Sequence, residues 1–203
     1  MTNDCVFCDR TKFEERLIGE CEDFWKIATL GQISDGGYVL LTPKRHVSCV
    51  GDMEKSEIDL LASKEKKMGI VLSREYKTRH IAFFEHGIVG QTVKHAHLHF
   101  IPEKLSITKR IKKDFPDSEI ASINSWNELR KLYKEKQKPY LLWRDADLET
   151  LVCWNPPAPP QYLRIVVAEA LGRPERANWR NMDPELDKRL WQETVKRLKP
   201  YFS

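Results

Sequence analysis

The sequence predicts an α+β fold in which a long helix packs on an antiparallel sheet. Short β-prone segments at residues 24–29 and 38–42 precede one long amphipathic stretch, and two more at 80–85 and 95–101 follow it. Strands on both sides of a single helix, joined by short connections, are typical of this class. We therefore expect a first domain over residues 1–115 and a C-terminal extension over residues 116–203 that packs on it.

The long helix is predicted over residues 54–78, with Asp52 as its N-cap. Apolar side chains recur there at steps of three, seven, four and four residues, so they share one helical face. These side chains, which we expect to face the sheet, are Ile58, Leu61, Met68, Leu72 and Tyr76.

The extension is predicted to hold three helices and a hairpin. The helices are predicted at 118–136, at 161–171, and from Pro184, with Asp183 as N-cap, to just before Pro200. The hairpin is predicted from strands at 139–145 and 148–154 around Asp145-Ala146-Asp147, followed by a stiff proline-rich connector at 156–160.

Composition and charge exclude several classes of protein. Hydrophobic residues make up 41% of the chain and charged residues 32%, which is ordinary for a globular domain and excludes a wholly disordered chain. No apolar run approaches the roughly 18–20 residues that span a bilayer, and no apolar signal core opens the chain, so we expect a cytoplasmic protein without membrane contact. The net charge is only +4, and the basic run at 104–113 is more often a solvated face, so a nucleic-acid partner is not expected.

Five of the six histidines lie between residues 80 and 99, and three alternate in the segment 95–99. In a strand, alternate side chains share a face and stand about 6.6–7 Å apart. His95, His97 and His99 would then form one face, and Ala96, Leu98 and Phe100 would pack on the helix. The alternatives are a strand face that is merely histidine-rich, or a face that supplies two or all three ligands of a catalytic zinc ion that activates water.

The loop before these histidines favours an anionic ligand. Gly90 lets backbone N–H groups approach closely, and Gln91 and Thr92 add neutral donors. Donors and imidazoles that converge at one strand end suit a phosphate, whereas the loop alone could be an ordinary hairpin connection.

Cys5 and Cys8 form a C-x-x-C pair, and the total of five cysteines argues against a disulfide framework. Such a pair is half of a zinc site, a redox dithiol or simply two thiols. Cys21, Cys49 and Cys153 stand alone and are expected to be small buried hydrophobes.

Four segments together resemble the histidine-triad (HIT) superfamily. The segment His95-Ala96-His97-Leu98-His99-Phe100-Ile101 is similar to the triad motif, and Gly90-Gln91-Thr92-Val93 to its lead-in. Thr42-Pro43-Lys44-Arg45-His46 resembles the family's P-K-x-H segment, and Cys5-Val6-Phe7-Cys8 the opening of its zinc-containing members. The match covers about residues 5–102, and a final histidine at position 99 resembles the hydrolase branches.

The resemblance implies a nucleotide phosphohydrolase or nucleotidyl transferase that works through a covalent nucleotidyl-histidine. By this mapping His97 is the nucleophile, while His99, Gln91 and Thr92 bind phosphoryl oxygens. The substrate would be a phosphoanhydride or phosphoramidate, such as a dinucleoside polyphosphate or a nucleotide conjugate, and the product a nucleoside monophosphate. The alternatives are a non-catalytic nucleotide-binding regulatory protein and the zinc–water hydrolase.

The resemblance also implies one structural zinc ion per chain, held by Cys5, Cys8, His46 and His95, and a homodimer whose C-terminal segments reach over the partner's site. The chain departs from the family where an acidic residue usually holds the ribose, because that position is Leu30. Asp35 is the nearby alternative.

Overall fold

The computed structural model describes residues 5–145 and 149–202 and confirms the α+β class. Its eight strands form one sheet in which every neighbouring pair is antiparallel, in the order β1-β2-β3-β5-β4-β7-β8-β6. The strands are β1 (Leu17–Glu20), β2 (Phe24–Ala28), β3 (Val39–Pro43), β4 (Ala82–Gly87), β5 (Leu98–Ile101), β6 (Glu119–Ile123), β7 (Tyr140–Arg144) and β8 (Thr150–Trp154).

Helices cover both faces of the sheet. They are α1 (Lys55–Glu75), α2 (Thr108–Asp114), α3 (Trp126–Lys136), α4 (Tyr162–Ala170) and α5 (Pro184–Leu198). Apolar residues of α1, α3 and α5 share one buried cluster with the sheet, and those of α2 and α4 form a second cluster on the opposite face. No helix in the described part of the chain is both long and apolar enough to cross a membrane.

The predicted face of α1 is confirmed, but its predicted cap is wrong. Ile58, Leu61, Met68 and Leu72 are buried in the first cluster, and Tyr76 packs against it. Asp52 instead belongs to a short 3-10 turn, and Glu54 is the N-cap residue. The Glu57 carboxylate accepts a hydrogen bond from the Glu54 N–H at 2.8 Å, as in a capping box.

The extension continues the sheet of the first domain. Strand β7 pairs with β4 over five residue pairs, and β8 and β6 follow outward. The helix predicted at 118–136 is wrong in its first part, because residues 119–123 form β6 against β8. The hairpin strands are confirmed, and residues 146–148 of its predicted turn lie outside the described residues. The boundary at residue 115 stays a prediction.

The last two predicted helices are present as α4 and α5. The Asp183 carboxylate caps α5 by accepting a hydrogen bond from the Leu186 N–H at 2.7 Å, and Pro184 holds the first helical position.

The histidine segment differs from a regular strand. Only Leu98–Ile101 is β5, so His95 and His97 precede it, and the prediction of one strand over 95–101 is wrong. The backbone leaves the ladder at Ala96, where the N–H donates to the Val47 carbonyl and the carbonyl accepts from the Thr42 hydroxyl. The second half of the prediction is confirmed, since Ala96, Leu98 and Phe100 lie in the cluster with α1.

Candidate active site and metal cluster

A cluster of two thiols and two imidazoles joins the N-terminus to the histidine segment. Ligand atoms of Cys5, Cys8, His46 and His95 all lie within 4.8 Å of one another. The Nδ1 atom of His95 is 3.4 Å from the Cys5 sulfur and 3.5 Å from the Cys8 sulfur, and Nδ1 of His46 is 3.4 Å from Cys8. Tetrahedral zinc with ordinary bond lengths separates such sulfur and nitrogen ligands by about 3.5 Å. The donor set and its spacing therefore fit zinc.

Interactions around the cluster orient its ligands. His95 Nε2 lies 2.9 Å from the Pro43 carbonyl, to which it can donate its proton, so Nδ1 keeps a lone pair for a metal. Burial lowers the pKa of His95 to about 4, which keeps the imidazole neutral. Partial desolvation of this largely exposed thiol and the neighbouring Cys5 raise the pKa of Cys8 to about 11, so the thiolate form needs a cation beside it.

The segment between the two cysteines also reaches the predicted nucleophile. The Phe7 ring packs 5.3 Å from that of His97 and 5.7 Å from that of His95, measured between centroids. Phe7 belongs to a small core with Phe13, Ile27 and Leu40. A metal in the Cys/His cluster would thus brace one wall of the site that contains His97.

That site is a cavity of about 300 Å³ at the end of β5. Its walls come from the N-terminal segment, the loop after β2, the loop before the histidines, and the extension. The lining residues are Val6, Phe7, Arg16, Thr29, Leu30, Leu40, His86, Gly90, Thr92, Val93, His97, His99, Gln161, Arg164 and Trp179. No carboxylate of the described residues is among them.

His97 is presented as a neutral imidazole with a fixed proton. Its Nδ1 lies 2.6 Å from the backbone carbonyl of His95, so Nδ1 carries the proton and donates it. The other nitrogen, Nε2, is then left with a lone pair. Burial lowers the pKa of His97 to about 4, with a further contribution from Arg164, so the lone pair is available at neutral pH.

His99 stands beside His97, with ring centroids 4.8 Å apart. Its ring stacks on Phe84 at 4.3 Å, and its Nδ1 lies 2.6 Å from the Tyr38 hydroxyl. The Nε2 atom is buried and has no hydrogen-bond partner among the described residues. Burial and the neighbouring imidazoles of His97 and His86 hold the pKa of His99 well below its usual range, so this residue is neutral.

Two buried guanidinium groups supply the positive charge of the cavity. Arg16 donates to the Ala28 carbonyl at 2.9 Å, and Arg164 donates to the Gly31 carbonyl at 2.9 Å and to the Tyr38 hydroxyl at 3.1 Å. Neither forms an ion pair with a carboxylate within the described parts of the chain. Asp187 attracts Arg16 electrostatically without forming an ion pair with it. Buried guanidinium groups that no carboxylate contacts directly favour an anionic ligand.

Not every predicted ligand residue reaches the cavity. Thr92 lines it, but the Gln91 amide donates to the Ser48 carbonyl at 2.8 Å instead, and Gln91 is not among the lining residues. Asp35 is also absent, because its carboxylate is paired with Arg173 and Arg176. The suggestion of Asp35 as a ribose ligand is therefore wrong for this conformation.

Sequence reasoning missed the residues that the extension and the loop after β2 contribute. Thr29 and Gln161 line the cavity, and their Oγ1 and Oε1 atoms are buried with no hydrogen-bond partner among the described residues. Arg164 could have been noticed, because it is the one basic residue in the mostly apolar helical segment 161–171. Gln161 and Trp179 have no such signal, since only the tertiary fold brings them to this site.

The sequence profile of the family described as "Scavenger mRNA decapping enzyme C-term binding" matches residues 4–113, more than half of the chain. The chain belongs to this family. Its membership, together with a HIT-like relative, confirms the resemblance to the HIT superfamily. The matched region holds the Cys/His cluster and His97, whereas Gln161 and Arg164 lie beyond it.

The chain is similar to the uncharacterized HIT-like protein MG132 of Mycoplasma genitalium. The two are 27% identical over 106 residues, which are 50% of this chain and 74% of that protein. Solved structures similar to the chain include SMU.412c from Streptococcus mutans UA159, with a TM-score of 0.47, 23% identity and coverage of 68% of this chain and 85% of the other. A Zn-bound histidine triad family protein from Mycobacterium smegmatis has a TM-score of 0.43, 23% identity and coverage of 68% and 98%.

Proposed function

We propose that this HIT-superfamily protein is a nucleotide phosphohydrolase or nucleotidyl transferase that works through a covalent nucleotidyl-His97. One observation carries the proposal. A neutral His97, its Nδ1 proton engaged by the His95 carbonyl, lines a cavity with two guanidinium groups that form no ion pair among the described residues, and no described carboxylate lines it. That combination suits attack on a phosphoryl group, where charge stabilisation and positioning dominate catalysis.

In the first step, Nε2 of His97 attacks the α-phosphorus, and the bond from phosphorus to the leaving group breaks. The leaving group departs with its electron pair and takes a proton from solvent. In the second step, water attacks the same phosphorus, the P–N bond returns its electrons to Nε2, and the water loses a proton to solvent. The product is a nucleoside monophosphate; with another acceptor in place of water, the same intermediate gives nucleotidyl transfer.

The other cavity residues divide between the two ends of such a substrate. Arg16, Arg164 and the Nε2 atom of His99 are cations or donors suited to phosphoryl oxygens. Thr29 Oγ1 and Gln161 Oε1 can pair with hydroxyl or amino groups of a nucleoside, which would replace the acidic ribose ligand absent at Leu30. Cys5, Cys8, His46 and His95 would hold zinc, which when bound supplies a structural cross-link.

The zinc–water alternative is less well supported. In its three-histidine form, His95, His97 and His99 would share one ion, but Nδ1 of His95 lies among the cysteine sulfurs and its Nε2 faces the Pro43 carbonyl. His95 therefore has no free nitrogen for a second site. In its two-histidine form, His97 and His99 would need a further protein ligand, and no carboxylate of the described residues lines the cavity. The other alternative, a nucleotide-binding protein without turnover, would use the same cavity. It would bind nucleotides but would release no nucleoside monophosphate in the test below.

The test is a substrate panel followed by trapping of the intermediate. Wild-type protein is incubated with dinucleoside polyphosphates, nucleoside phosphoramidates and nucleotide conjugates, and release of nucleoside monophosphate is measured. Rapid quench with labelled substrate and mass spectrometry then locate the acid-labile adduct. We expect the adduct on His97 and its loss, with turnover, in His97→Ala.

His80→Ala is the matched control, because His80 does not line the cavity. Full activity in His97→Ala, or an adduct on His86 or Lys94, would overturn the assignment. Binding of nucleoside monophosphates without turnover of any panel member would support the non-catalytic alternative.

A further inference from the structure

We propose that Arg164 of the C-terminal extension is a positioning residue for His99. Through Tyr38 it holds His99 in the tautomer that carries its proton on Nε2, so that His99 donates a hydrogen bond to a phosphoryl oxygen. The identity of the ligand rests on the proposed function above, but the tautomer can be measured without turnover.

The chain of hydrogen bonds has only one consistent direction. A guanidinium can donate and cannot accept, so its contact at 3.1 Å makes the Tyr38 oxygen an acceptor. Tyr38 is fully buried, and the one other hydrogen-bond partner of its hydroxyl among the described residues is Nδ1 of His99 at 2.6 Å. The hydroxyl proton is satisfied only if it is donated to that nitrogen. His99 then carries its own proton on Nε2.

A proton on Nε2 of His99 gives this buried nitrogen a function, since it is then a donor available to a ligand. His99 is 4% exposed, and its Nε2 is buried without a partner. An unsatisfied donor at such a place costs free energy unless a ligand accepts from it. His99 lines the same cavity as His97, so a phosphoryl oxygen held for attack by His97 would be the acceptor.

Arg164 is itself fixed by neutral groups. Besides Tyr38, it donates to the backbone carbonyls of Gly31, Ala177 and Arg176, at 2.9, 3.3 and 3.3 Å. None of these acceptors is a carboxylate, so Arg164 has no direct ion-pair partner among the described residues. The extension anchors this region by a second contact, in which the Leu163 N–H donates to Nε2 of His86 at 3.0 Å.

Three substitutions separate the charge of Arg164 from its effect on the tautomer. Arg164→Lys keeps a donor and a charge, Arg164→Met removes both, and Tyr38→Phe breaks the relay while keeping the guanidinium. Arg173→Met is the matched control, because Arg173 also comes from the extension but pairs with Asp35 and Glu103 away from the cavity.

The first readout is the protonated nitrogen of His99, measured by long-range ¹H–¹⁵N correlation in ¹⁵N-histidine-labelled protein and assigned with His99→Asn. We expect the proton on Nε2 in the wild type, Arg164→Lys and Arg173→Met. We expect a population with the proton on Nδ1 in Arg164→Met and Tyr38→Phe. The proposal fails if the wild type carries the proton on Nδ1, or if Tyr38→Phe and every folded Arg164 variant keep it on Nε2 alone. Should Arg164→Met not fold, Tyr38→Phe alone decides.

The second readout is the affinity for inorganic phosphate, measured by calorimetry. We expect the Kd to rise roughly tenfold or more in Arg164→Met, and about threefold to tenfold in Tyr38→Phe, because a buried donor to a charged ligand is lost. An unchanged phosphate Kd in both variants contradicts the proposal. A tautomer change with weaker phosphate binding supports it even if no panel substrate is turned over, whereas turnover with an unchanged tautomer would leave the proposed function standing and remove this inference.

Discussion

Replacing Cys8 by serine should remove the zinc ion and loosen the N-terminal segment without damaging the rest of the fold. Cys8 is exposed, so the substitution changes little packing and mainly removes one thiolate. Without the ion, the segment that carries Phe7 is no longer tied to His46 and His95. Phe7 is 6% exposed in the folded chain, and exposing such a side chain costs about 1.5–3 kcal/mol. For a chain of this size, that loss lowers the melting temperature by roughly 3–12 °C.

The assay compares metal content by mass spectrometry with the thermal unfolding midpoint, before and after treatment with a chelator. We expect about one zinc ion per wild-type chain and almost none in Cys8→Ser, because a four-ligand structural site loses most of its affinity with one ligand. Chelation should lower the midpoint of the wild type to that of the variant and leave the variant unchanged. Cys21→Ser is the control, since that thiol lies outside the cluster and its hydrogen bond to the Phe24 carbonyl can be made by a hydroxyl. Full zinc content with an unchanged midpoint in Cys8→Ser would refute the assignment.

Two further predictions concern stability. Burial raises the pKa of Glu85 to about 7 from an ordinary value of 4.5, so the folded chain holds a proton that the unfolded chain releases. The stability gained from that proton is complete below pH 4.5 and is lost as the pH rises to 7. In urea unfolding, the free energy of unfolding of the zinc-saturated wild type should therefore fall by up to about 1.4 kcal/mol per pH unit relative to Glu85→Gln. A parallel pH profile in both proteins would contradict this. Gly31→Ala should lower the melting temperature by several degrees, because φ is +67° and a new Cβ would lie 2.3 Å from Cβ of Trp179. Gly69→Ala, with no atom within 4 Å, should leave it unchanged or raise it, and a similar decrease in both variants would argue against the steric reason.

The parts of the fold predicted correctly are those governed by local pattern. The apolar period of α1 and the proline after the Asp183 cap act within a few residues, so the sequence suffices to find them. The strand β6 was predicted as helix because it lies directly before a helical segment and its partner β8 lies about thirty residues away. Pairing with a distant strand overrides local propensity there.

In the candidate site, likewise, the residues that belong to local sequence motifs were predicted, whereas those that depend on the tertiary fold were not. The resemblance to the HIT superfamily implied the ligand set Cys5, Cys8, His46 and His95, because the motifs that contain them occur in the same order as in the family. The carbonyl that orients His97 could not be identified, since it belongs to the backbone of His95 and depends on the turn before β5. Arg16, Gln161 and Arg164 could not be placed either, because buried polar contacts between distant elements have no periodic signature.

The position of the extension determines whether the remaining walls of the cavity come from the same chain or from a partner chain. The sequence led us to expect a homodimer in which a partner's C-terminal segment reaches over the site, and that assembly stays a prediction. In the structure, β7 of the same chain occupies the free edge of β4, so a second copy cannot extend the sheet there without displacing it. The same extension then crosses to the cavity and contributes Gln161, Arg164 and Trp179. A cavity completed within one chain should retain its phosphate affinity on dilution to the monomer, whereas a cavity that needs the partner's residues should lose it.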